Sequence, residues 1–404
     1  MNHIFRKYVK GIKKCIQYRR TRGPFLQRID RLESILESIT LYDRISVNPV
    51  QAIWAERWKE SRKKVLYIAP IDYSGSIFKW AAAINDYTDW AARIITFKVH
   101  RFGYSTDIVI PSNIPSQLKG DFSELGVKLF KLIDEADIIH FKDEHQLFHE
   151  IELKSKKSTL LSDIYKRAKE SVKPLVFTHY GGYARKYKDN INYKNFVNNF
   201  NIKVAMTPDL NFDWFSGSYI PHSIEIKDFP VIWKDGTVVS HSPSGVQRKG
   251  TEALVEALSK HPEITLNIIQ GLSYEKCLKK KSEATLFFDQ AGREKAENIG
   301  TNEPIGWYGN SAVEAMAFGI PTIAHLSKNA FNGAVLSGKN IKNSCPVINV
   351  DCEDPISIEK AIVNFFSSSV AEKEKKSKQA REWVEIFHSN EVVANELVKL
   401  YSKK

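Results

Sequence analysis

The chain has 404 residues, 43% of them hydrophobic and 26% charged, with a formal net charge of +12. That composition excludes a disordered or fibrous protein and leaves room for two separate cores. No apolar run reaches the roughly 18 residues a membrane-spanning helix needs, and basic residues interrupt the first apolar ones, so neither a spanning segment nor a secretory leader is expected.

In chain order, residues 1–28 carry nine basic and no acidic side chains. Ile4, Phe5, Tyr8, Val9, Ile12, Cys15 and Ile16 fall on one face at helical spacing, with Arg6, Lys7, Lys10, Lys13 and Lys14 opposite. Such a basic amphipathic helix suits an anionic membrane surface; a helix docked on the body, a transit segment and a nucleic-acid arm remain as alternatives. No aromatic-and-basic RNA motif accompanies it, so no nucleic-acid partner is expected. Two more helices are predicted over 29–62, broken near Asn48 and Pro49.

From Lys64 the apolar period changes. VLYIAP reads as a buried strand, IDYSGS as a loop and the run through Phe78, Trp80 and Ala83 as a helix, the opening unit of a nucleotide-binding α/β domain. RIITF, DIVI, ADIIHF, PLVFTH and KVAMTP continue the alternation and predict a parallel sheet covered on both faces. YIPHSIEIKDFPVI reads as a linker. A second series, TVVSHSP, ITLNIIQG, ATLFFDQ, GIPTIAH and PVINV, predicts a second sheet. The segment 356–400 is helical and charged, with Trp383, Ile386, Phe387 and Val392 as its expected buried stripe. Cys15, Cys277, Cys345 and Cys352 show neither a C-x-x-C pair nor zinc-like spacing, which fits a reducing compartment.

The densest signal is GWYGNSAVEAMAFGIPTIAH, residues 306–325. Gly306 and Gly309 permit a sharp turn, Asn310 or Ser311 can cap a helix through Phe318, and Gly319 ends it. A glycine turn feeding a helix N-terminus offers unpaired N–H groups to a diphosphate. The plainer reading, a capping box of Ser311 with Glu314, stays open from these residues alone.

The same segment resembles the donor-site motif of retaining, group 1 glycosyltransferases of the GT-B fold, with its EAMA-x-G-x-P run. The resemblance covers roughly residues 64–400. It implies an α/β protein with two Rossmann-like parallel-sheet domains facing a cleft, behind an N-terminal helical extension. The expected divisions are 1–62 for the extension, 63–225 for the acceptor domain, 226–380 for the donor domain and 381–404 for a helix crossing back. It implies a hexosyltransferase-like enzyme of polysaccharide or cell-envelope synthesis, moving a sugar with retention from a nucleotide-sugar donor to a glycan or lipid-linked acceptor. The expected location is cytoplasmic, peripheral on the inner face of the membrane through residues 1–28.

In such enzymes the residue matching Glu314 accepts hydrogen bonds from the ribose, and Lys249, in HSPSGVQRKGT, matches the Lys-Gly element that holds the diphosphate. Donor-binding positions are expected at Gly75, Ser76, Arg248, Lys249, Gln270, Gly271, Asp289, Gln290, Gly309, Asn310, Ser311 and Glu314. Catalytic candidates are His140, Asp143, His179 and Lys249: the histidines end strands on the expected cleft side, and Asp143 follows in ADIIHFKDEH. Three positions depart from the family. Gly306 stands where a first glutamate is usual, with Glu303 three residues earlier as a substitute; Ser244 stands for an arginine, with Arg248 as its compensation; Lys142 stands for the second histidine of H-x-H. With no D-x-D pair, no metal and no other cofactor are expected. A catalytically degenerate GT-B-like binding subunit and a sugar-nucleotide epimerase are the competing readings.

Overall fold

The computed structural model describes residues 49–100, 102–110, 122–142, 146–151, 160–295, 301–336, 339–341 and 344–403. The amphipathic helix expected near the N-terminus, the helix expected from Ile29, and Asp143 lie outside the described residues. The helix Pro49–Glu60 is present, with Trp54 and Trp58 buried on the first sheet's helices and strands. Among the described residues, no helix is long and apolar enough to cross a membrane.

Two parallel sheets organise the chain. The first contains β1 (Lys64–Ile71), β2 (Ala91–Lys98), β3 (Ile108–Val109), β4 (Ile138–Lys142), β5 (Leu175–His179), β6 (Ile202–Ala205) and β7 (Ser218–Tyr219), in the order β3-β2-β1-β4-β5-β6-β7. Its central strands are buried on both faces, as helices on each side require. The second contains β8 (Val238–His241), β9 (Thr265–Ile268), β10 (Leu286–Gln290), β11 (Thr322–Ala324) and, after a short hairpin of β12 (Val335–Leu336) with β13 (Lys339–Asn340), β14 (Ile348–Asn349); its order is β14-β11-β10-β8-β9. The predicted strands therefore all form. DIVI is cut to two residues because Asp107 turns inward, where Arg93 donates two hydrogen bonds to its carboxylate at 2.7 and 2.9 Å.

Strand order reverses at β1/β4 in the first sheet and at β8/β10 in the second, and ligands of open α/β sheets bind where such reversals leave a crevice at the strand C-termini. The loops after β1, β8 and β10 leave from those strand ends.

The C-terminal helices tie the halves together. Val370–Phe387 starts with a capping box of Ser369 and Glu372 and packs Trp383 and Val384 into the second lobe. The chain then crosses at His388–Asn390, where Ile224 N donates to His388 O at 2.8 Å and Asn390 N to Ile224 O at 3.0 Å. The last helix, Asn390–Tyr401, buries Val393, Ala394, Leu397 and Tyr401 among first-lobe residues. This break resets the helical phase: Ile386, expected in the buried stripe, is 58% exposed, and Val393 rather than Val392 faces the core.

Leu397→Ala should lower unfolding free energy by about 2–5 kcal/mol, the cost of a cavity at a sealed leucine. Urea denaturation checks this, and a loss below about 1 kcal/mol would mean that the helix is not part of the first lobe's core.

Candidate functional site

The loop after β8 is shaped by backbone contact. Gly250 has φ +75°, and a Cβ there would lie 2.7 Å from Ala291 O, while one on Gly292 would lie 2.5 Å from Gly250 N. Only glycines let these two segments abut. Ala291 N donates to Lys249 O at 3.2 Å, and below them His241 is fixed by Phe288 O and Thr251 Oγ1, both at 2.8 Å.

Lys249 is thereby delivered to the end of β10. Its ammonium donates to Gln290 Oε1, and the Gln290 amide donates to Trp307 O. Asp289 Oδ2 accepts from Gly309 N at 2.7 Å, and a Cβ on Gly309 would come within 3.8 Å of Lys249 Nζ. The structure thus brings Lys249, Asp289, Gln290 and Gly309 together at the start of the helix Asn310–Ala317. Gly309 is its N-cap in extended geometry, with no side-chain cap, so the Asn310 and Ser311 N–H groups head the helix without intrahelical acceptors. Burial lowers the Lys249 pKa, with Asp289 opposing.

The Ser311–Glu314 capping box does not form. Ser311 Oγ lies 3.1 Å from Ser242 Oγ and accepts from Lys281 Nζ at 3.2 Å. Glu314 Oε2 accepts from Lys281 at 2.7 Å, and Oε1 from Asn310 Nδ2 at 2.6 Å and from Lys79 at 3.3 Å; Tyr274 bonds the same carboxylate. Burial would raise the Glu314 pKa, but Lys281 and then Lys79 outweigh it and hold it at about 2. Lys281 is 0% exposed, whereas the Lys79 side chain, from the first-lobe helix Ser76–Tyr87, is 18% exposed.

Gly306 has a steric cause. A Cβ there would collide with Ser327 Oγ and lie 3.3 Å from Asp209 Cβ, while Gly306 N donates to Asp209 Oδ2 at 3.2 Å. Arg185 pairs with Asp209 and lies 3.8 Å from Glu294. Arg248 donates to Glu294 at 2.6 Å, so it is clasped by a fully buried carboxylate and is not poised alone toward a phosphate. Glu303, the expected substitute, pairs with Lys188 at the rim, about a third exposed on both sides.

The structure places several of the first-lobe candidates in the interior. His140 lies in the core, its Nδ1 2.7 Å from Tyr401 Oη and its Nε2 2.5 Å from Thr178 Oγ1, and burial lowers its pKa to about 3. His179 stacks on Phe215 at 3.6 Å between ring centroids, with Nδ1 donating to Leu210 O. Neither imidazole faces the crevice, because each side chain falls on the sheet face that a helix or aromatic cluster covers. Lys142 is also internal: it donates to Asp72 Oδ1 at 2.9 Å, Ser76 Oγ at 2.6 Å and Tyr73 O at 3.1 Å. Ser76 is buried and turned inward onto that ammonium. Asp72 caps the helix Ser76–Tyr87 by accepting from Ile77 N and Phe78 N, and Gly75, at φ +61°, lies under the Tyr104 ring. Gln270 is exposed, and Gly271, at φ +67°, has open space beside it.

Sequence reasoning missed Lys79, Tyr274, Lys281, Arg185, Asp209 and Glu294. None carries a local signal, since each matters through a partner far along the chain.

No protein-family model and no curated protein matches the chain. Solved structures do. HepE of Anabaena, in complex with UDP and glucose, is 15% identical, with 85% of this chain and 100% of that one covered at a TM-score of 0.55. A glycosyltransferase from Rickettsia africae is 11% identical over 85% and 98% at 0.52. An E. coli structure described as trehalose-6-phosphate bound with UDP-2-fluoro glucose is 10% identical over 84% and 99% at 0.54. At these identities the likeness establishes the fold, which is GT-B.

Glu314→Gln should cost about 3 kcal/mol at pH 7 by leaving Lys281 buried without a counter-charge. Because the folded pKa of Glu314 is depressed from 4.5 to about 2, its contribution is complete above the unfolded value and fades as pH falls toward 2. Unfolding free energies of the two proteins should therefore converge between pH 5 and about 2; a constant gap would show that the carboxylate's charge is not the source.

Proposed function

We propose that the chain is a glycosyltransferase that moves a sugar, with retention and without a divalent metal, from a nucleotide-sugar donor to a cell-surface glycan or lipid-linked acceptor. The observation that carries this reading is the convergence of Lys249 with the uncapped start of the helix Asn310–Ala317, at the strand-order reversal of the second sheet. Support also comes from the GT-B fold and from two structural neighbours that hold UDP or a UDP-sugar.

In this reading the leaving diphosphate departs on the face where the acceptor attacks. Its growing charge meets Lys249 and the Asn310 and Ser311 N–H groups, donors already oriented before the reaction. The ribose hydroxyls donate to Glu314 and displace Lys79, the more exposed of its two lysines. Lysine and helix dipole then supply what a metal supplies elsewhere. Residues 1–28 hold the enzyme on the anionic cytoplasmic face of a membrane. A ligand-binding subunit without turnover is the second reading, favoured by the full engagement of Glu314 and by the burial of Lys142.

A thermal-shift panel of UDP-, GDP-, ADP- and CMP-sugars should give one clear responder, since a ligand for the folded state raises its apparent stability. Lys249→Met should then lower kcat/KM for that donor by about 10- to 100-fold, the worth of one charge-assisted hydrogen bond. Wild-type turnover in that variant would remove Lys249 from the site. A response without transfer or donor hydrolysis would favour the binding subunit, and donor conversion without acceptor would favour an epimerase.

A further inference from the structure

The linker between the sheets holds a histidine whose backbone is fixed on both sides while one ring nitrogen is left without a partner. Trp80 Nε1 donates to Pro221 O at 3.0 Å, His388 Nδ1 donates to His222 O at 2.7 Å, and Ile224 N donates to His388 O. His222 is 4% exposed, and its Nδ1 is buried without a hydrogen-bond partner. Other interior histidines differ. Both ring nitrogens of His140, His241 and His388 are engaged, and the spare nitrogen of His179 is enclosed by the rings of Tyr193, Trp214 and Phe215.

The His222 ring meets the edge of Tyr180, 6.5 Å between centroids, and Tyr180 in turn carries the Lys142 ammonium over its face at 4.1 Å. Lys79 and Glu314, the pair that bridges the lobes, act on the same imidazole, as do His388 and Lys142. Burial first, and then His388, Lys79 and Lys142, push its pKa well below the ordinary histidine value, with Glu314 opposing. A neutral imidazole offers one donor and one acceptor, which suits a ligand hydroxyl better than a phosphate.

We infer that His222 is a further ligand-contacting residue, whose ring hydrogen-bonds a hydroxyl of the bound sugar where the linker, the loop after β1 and the helix Asn310–Ala317 meet. This rests on the glycosyl-transfer reading above. An unmet polar atom is costly to seal away, and a polyhydroxyl ligand removes that cost on binding.

The test uses the full chain, the sugar-nucleotide panel, and UDP alone as the probe of nucleotide affinity. His222→Phe should keep or raise the thermal midpoint and leave UDP affinity unchanged, yet lower kcat at least about tenfold. His222→Gln, which retains a donor and an acceptor, should recover part of that loss. His222→Asn, too short to reach, should behave as the Phe variant does and serves if that variant does not fold. Wild-type kcat in the Phe or Asn variant would overturn the assignment, as would a loss of UDP affinity as large as the loss of kcat. If the wild-type chain neither binds nor turns over any member of the panel, the glycosyl-transfer reading falls and this one with it. Wild-type turnover that ignores position 222 removes His222 alone.

Discussion

The crevice is organised around the carboxylate of Glu314, which three helices approach at once: its own, the helix Tyr274–Lys281, and Ser76–Tyr87 from the opposite lobe. Lys281 has no access to water and, among the described residues, no second carboxylate, so losing Glu314 would strand a charge in a low-dielectric setting at a cost of several kcal/mol. The same carboxylate fixes Asn310 at the helix start, and so sets the direction of the N–H groups that face Lys249. Geometry at the helix start and charge balance at Glu314 are one arrangement.

Across the crevice the lobes face each other through ion pairs of unequal worth. Lys79–Glu314 and Arg185–Glu294 involve groups largely withdrawn from solvent, whereas Lys188–Glu303 is about a third exposed on both sides. The exposed pair contributes little after screening and side-chain ordering, about 0–1 kcal/mol. The buried pairs matter for position more than for net stability, because desolvation offsets much of their attraction. A ligand that replaces Lys79 on Glu314 therefore exchanges one partner for another and exposes no bare charge.

Local signals made most of the fold legible. Apolar runs bounded by turns marked both sheets, and the glycines around Trp307 and Tyr308 with the apolar helix behind them marked the loop that leads into Asn310–Ala317. Lys249 was legible because a strand, a glycine and a helix follow one another in sequence. The histidines were not: a strand-end residue points to one face or the other, and the face that His140 meets is closed by Tyr401, 261 residues later. Nor could sequence explain Gly306, whose missing side chain answers to Ser327 and Asp209. Glu314 stood out through its motif, but its partners did not, because Lys79 and Lys281 come from elsewhere in the chain. The phase reset at His388 is equally non-local, since it depends on the linker strand at Ile224.

The hydroxyl chain from Tyr67 through Tyr401 to His140 joins residues separated by 334 positions. During synthesis the first sheet leaves the ribosome long before the helix that fills its inner face exists. Until Asn390–Tyr401 emerges, Trp80, Ile84 and Tyr67 present an open apolar and polar surface that only the end of the chain can close. The first lobe's apolar surface is therefore completed only when this last helix docks, while the second lobe's clusters close without it.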